Sequence, residues 1–153
     1  MNNKILLDFL EGTGKDKHGR TIYEIWNFTD DQLESVHNYI QWLFPLREMS
    51  DNVMGSPFLD NEEDIQNIRQ HQTIQENLIT SLMRMQNFYR DNDFWLQPND
   101  HNHLRITRIL KSTALLSSKE NAKEFYDFVM GRVGEFQPVT DESLDYWLKA
   151  TSS

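Results

Sequence analysis

The chain has 153 residues, no cysteine, and 24 acidic against 15 basic side chains, for a formal net charge of -9. That balance excludes disulfide and thiolate chemistry and disfavours non-specific binding to nucleic acid or anionic lipid. A chain of this length is expected to form one domain, over residues 1–153, burying about two thirds of its unfolded surface.

The opening "MNNKILLDFLEG" has an apolar run too short for a membrane span, interrupted by acids and without a small-residue cleavage site. The expectation is a cytoplasmic protein without a membrane partner. "NNKILLDFLEG" predicts a short helix stopped by Gly12, and "GTGKDKHGR" a polar loop. "TIYEIWN" predicts a further short helix or turn. Thr29 with Gln32 forms a capping-box pattern, and Asp30 and Asp31 suit the positive end of the helix dipole. The helix they open is expected to run to Phe44, where Pro45 ends it.

On that helix, at about 100° per residue, Leu33, Val36, Ile40 and Phe44 form one stripe, and Trp42 falls opposite Leu33. Burial on both sides of a central helix would make Trp42 core, with Tyr39 and Phe44. "LREMSDNVMGSPFLD" predicts a loop. Asp60 and Glu63 are expected to open the helix "NEEDIQNIRQH". "IQENLITSLMRMQNFYR" follows, with Leu78, Leu82, Met85 and Tyr89 on one face and Met83 and Met85 as core fillers.

After the break "DNDFWLQPND", "HNHLRITRILKSTALL" predicts a helix. Ser117 with Glu120 is expected to cap the next one, through Val133, and Thr140 the last. The pattern predicts an all-α fold of about six or seven helices.

Few constellations carry chemistry. The loop after Gly12 is no Walker motif, because Phe9 and Asp16 stand where glycine and Ser/Thr are required. His101, Arg105 and Arg108 at i, i+4 and i+7 share a helix face, with Asn102 on another; the three could cradle an anion or pair with the domain's own acids. His101 and His103 point about 200° apart on a helix, so a shared metal is not expected. No cofactor motif and no nucleophile elbow occurs.

The segment "DKHGRTIYEIWNFTDDQLESVHNYIQWLFPLRE", residues 16–48, resembles the conserved domain of the opioid growth factor receptor family. Its landmark is Tyr39–Pro45, "YIQWLFP", with His37 two positions earlier. The resemblance continues to Phe88–Tyr89 and to "HNHLRITRIL", similar to a segment of shorter bacterial members. It covers nearly the whole chain and is closest in character to a compact, single-domain, bacterial-type member. It implies an all-helical domain and brings no catalytic residues. The animal members are described as receptors for an enkephalin peptide.

These readings converge on a non-catalytic binding domain with a polar-aromatic pocket for a small anionic or polar ligand or a peptide. Asp16, Arg20, His37, Gln41, His101, Asn102, Arg105 and Arg108 are its expected lining. Arg20, Arg105 and Arg108 would hold the charge. One alternative is a small helical enzyme with His37 or His101 as general acid/base, oriented by Asp16. Another is a protein–protein interaction module.

Overall fold

The computed structural model describes residues 3–50, 53–135 and 138–152. Among them the fold is all-α, with nine helical segments and no strand. No helix there is long and apolar enough to cross a membrane. Contacts cluster into two compact units, Met1–Ser81 and Leu82–Ser153, and the boundary falls inside one continuous helix rather than at a linker.

The first unit holds α1 (Lys4–Glu11), α2 (Ile22–Trp26), α3 (Asp30–Ser35), α4 (Ile40–Leu43), α5 (Glu62–Gln70) and the start of α6 (Gln72–Asp91). Gly12 ends α1 in the left-handed region, at φ 90°, and its N–H caps the carbonyls of Asp8 and Phe9. α2 and α3 each open on a complete capping box, Thr21 with Glu24 and Thr29 with Gln32. Sequence inspection found the second box and missed the first. Asn61, one residue after Asp60, caps α5 by accepting from the Asp64 N–H. Phe9, Leu10, Ile22, Ile25, Leu33, Tyr39, Leu43 and Phe44 are buried. Trp42 is buried too, edge-on to Phe9 with ring centroids 5.5 Å apart.

The helix expected from Asp30 to Phe44 is instead two, α3 and α4, parted at Val36, whose ψ is 124°. Two side chains explain the break. Leu33 O, the acceptor that a continuous helix would offer to residue 37, takes a 2.6 Å bond from the Tyr39 hydroxyl. Asn38 O, which would accept from residue 42, accepts from the Arg20 guanidinium at 3.1 Å, while Trp42 N–H turns to Tyr39 O at 2.9 Å. Trp42, Tyr39 and Phe44 are core as expected, but not because one helix is sandwiched between neighbours.

The second unit packs the end of α6 with α7 (His101–Leu116), α8 (Lys119–Val133) and α9 (Asp141–Ser152). α7 has the predicted bounds and touches both α8 and α9. Ser118, not Ser117, caps α8; the Ser117 hydroxyl instead accepts from the Asn121 amide. Thr140 caps α9 by accepting from the Ser143 N–H. Met85 is fully buried, whereas Met83 is 46% exposed and fills no core gap, because the two lie on different faces of α6.

Candidate functional site

The polar loop after α1 is built around Asp16. Its carboxylate is fully buried, and one oxygen accepts from the His18 and Arg20 backbone N–H groups at 2.9 Å each. The other receives the Arg20 guanidinium, Nε at 2.7 Å and a terminal nitrogen at 2.6 Å. Arg20 continues to Asn38, giving 2.8 Å to its side-chain oxygen and 3.1 Å to its carbonyl. The Asp16 carboxylate thus stays within its own loop and orients no histidine ring. Asp16, Arg20 and Asn38 form a clip that joins the loop to the break between α3 and α4.

His37 lies in that break and is exposed. Gln41 is 5% exposed, with its amide nitrogen 3.4 Å from His37 O and its oxygen buried without a hydrogen-bond partner. An acceptor left so typically costs about 1–3 kcal/mol.

The other four expected residues lie in the second unit. His101 is exposed, Arg105 buried and Arg108 half-buried. Asn102 is fully buried, its oxygen accepting from Tyr89 OH at 3.1 Å and Arg105 at 3.3 Å, its nitrogen donating to Asp100 at 2.8 Å. Asp100 caps α7 through the Asn102 N–H. Burial pushes its carboxyl up, but bonds from the Asn102 backbone and side chain and from Gln97 outweigh this and hold it below the usual range.

His103 is buried, its Nε2–H donating to Trp95 O at 2.8 Å and its Nδ1 facing the Ser143 hydroxyl at 3.2 Å. Trp147 meets its ring edge-on and donates to its carbonyl at 3.0 Å. The buried histidine of "HNH" is therefore the second, not His101. Among the described residues no three His, Asp or Glu groups gather as a metal site.

A cleft of about 130 Å³ opens in the first unit between α1, Trp42 of α4 and the loop before α5. Ile5, Leu6, Trp42, Met49, Pro57 and Phe58 supply apolar walls, with Asn3, Lys17, Gly55 and Ser56 between them. The loop is closed at its base by Leu59 N–H on Leu46 O, at 2.8 Å, and again by Ser50 N–H on Ser56 Oγ, at 3.0 Å. Asn3 is held by Asp64 at 2.8 Å. Lys17 reaches across to Gly55 O at 3.4 Å. Of the cleft's lining only Trp42 belongs to the landmark segment. Met49 and Phe58 read as loop residues, and no local period marks them.

The class defined by these features is a small all-α domain with a loop-walled apolar cleft. The family profile described as the opioid growth factor receptor (OGFr) conserved region matches residues 4–94, and the chain belongs to that family. It is 32% identical over 150 residues to the human opioid growth factor receptor, covering 84% of this chain and 22% of that protein. The rat receptor is 31% identical over 150 residues, covering 84% of this chain and 26% of its own length. The mouse opioid growth factor receptor-like protein 1 is 29% identical over 122 residues, 69% of this chain and 26% of that protein. The chain thus spans about a quarter or less of the curated relatives it matches. No solved structure matches it.

Proposed function

We propose that this chain is a non-catalytic binding domain whose first unit receives an apolar side chain of a peptide in the cleft beside Trp42. The observation that carries the reading is the cleft itself, apolar on most sides and, apart from Asn3, lined by residues of the segment that matches the family. Its size suits one side chain; a cavity of about 150 Å³ accepts a benzene ring, whereas pockets for larger ligands span roughly 300–1,000 Å³. The relatives are named as receptors, and a receptor role for this chain calls for such a recognition surface.

The reading moves the ligand contacts away from Arg20. That guanidinium already serves Asp16 and Asn38, so its role here is structural. Selection of short peptides from a random library against the full chain tests the proposal. Enriched peptides should share an apolar anchor and lose binding to Met49→Asp, a change at a wall residue that is 45% exposed. Peptides that bind the wild type and this variant equally would remove the cleft from the reading.

A further inference from the structure

The cleft carries a charge as well as an apolar wall. Among its described lining residues one is ionisable, Lys17, in a chain with 24 acids and 15 bases. The ammonium sits at the rim beside Gly55 O, itself part of the lining, at a long 3.4 Å. A lysine has three N–H donors, so this carbonyl leaves capacity for an anion. Of the polar neighbours, the Asn3 side-chain amide donates to Asp64, while Ser56 Oγ accepts from the Ser50 N–H and keeps its own O–H as a donor. A cation at the mouth of an apolar cavity selects a group that is apolar at one end and anionic at the other.

We infer that the cleft takes the carboxyl-terminal residue of a peptide, its apolar side chain against Trp42, Met49 and Phe58 and its terminal carboxylate on Lys17. This rests on the binding reading above and specifies its ligand. Two features favour a terminal residue over a fatty acid. The cavity has room for one side chain rather than an acyl chain, and Lys17 lines the same cleft as the apolar walls, so the anionic group has to lie close to the apolar one. An ammonium serves such a carboxylate as a point charge without demanding a bidentate fit.

The probes are N-acetyl-phenylalanine and N-acetyl-methionine as free acids, each beside its carboxamide, titrated into the isotope-labelled full chain and followed by amide and indole NMR shifts. The acids should shift Trp42 and the Met49 and Phe58 amides and bind roughly three- to tenfold more tightly than the amides. Lys17→Met should erase that preference while both forms still bind. Met49→Asp should lose both. Equal binding of acid and amide at the cleft would overturn the carboxylate inference and leave the binding reading standing. Absence of shifts at the cleft with every probe would overturn both.

Discussion

The two units solve the problem of stabilising helices in opposite ways. In the first, helices α1 to α5 have 8, 5, 6, 4 and 9 residues. Isolated helices below about 12–15 residues are marginal in water. Capping boxes, an ion-pair clip and a Phe–Trp edge contact therefore carry what helix length does not. In the second unit, α7, α8 and α9 have 16, 15 and 12 residues and pack on one another. Two of its buried polar groups, Asn102 and His103, tie the 92–100 loop to those helices. Short helices leave long connections, and long connections wall clefts. The candidate site accordingly falls in the first unit.

The sharpest way to break this comparison is Asp16→Ala, which leaves the Arg20 guanidinium without its carboxylate. Removing one partner of a buried pair costs about 3–5 kcal/mol. Urea denaturation of the full chain should show a loss of that order. A loss near that of a surface substitution, about 0.5 kcal/mol, would mean the clip does not hold the first unit together.

Next comes Tyr39→Phe. It removes the hydroxyl that makes the buried bond to Leu33 O at the break between α3 and α4. The expected destabilisation is about 1–3 kcal/mol by the same measurement. No loss would show that Leu33 O finds another donor and that the break has another cause.

The capped α7 of the second unit should contribute to acid sensitivity. The Asp100 carboxyl is held below its ordinary value when folded, so its contribution is complete above the unfolded value, about 3.9. It is then lost as pH falls through the lower, folded value. Thermal midpoints followed from pH 6 to pH 2 should therefore fall less steeply for Asp100→Asn than for the wild type below about pH 4. Parallel curves would detach Asp100 from acid stability.

The smallest effect is expected at Met83, on the exposed side of the helix that both units share. Met83→Gln should change stability by no more than about 0.5 kcal/mol. A loss above 2 kcal/mol, of the size seen for buried methionines, would place it in a core.

Sequence reading served the second unit better than the first. The bounds of α7 and the buried face of α6 follow from period and caps, both of which act within four residues along the chain. The same reasoning ran α3 and α4 together, because the stripe from Leu33 to Phe44 is a sound helical pattern. What interrupts it is the Tyr39 hydroxyl on Leu33 O together with Arg20, 18 residues away from Asn38, and no local rule registers the latter bond. At the site, "DKHGR" and "HNYIQWLFP" do meet, but as a structural clip. Lys17 stood beside Asp16 unnoticed, since one lysine in a polar loop has no distinguishing spacing. Gln41 has a buried side-chain oxygen without a hydrogen-bond partner.

By itself the sequence determined the helical class, the family, the glycine stop of α1, the cap of α3 and the long helix α7. These depend on backbone geometry and on side chains one helical turn apart, so the information is local. The tertiary structure alone decided where the helical pattern from Asp30 to Phe44 breaks, which histidine of "HNH" is buried, and that a loop closed by Leu46 and Ser56 would leave a cleft. Each of these depends on a donor or wall supplied from a distant part of the chain. A buried carbonyl accepts from whichever donor packing brings within about 3 Å, not from the one that helical periodicity assigns.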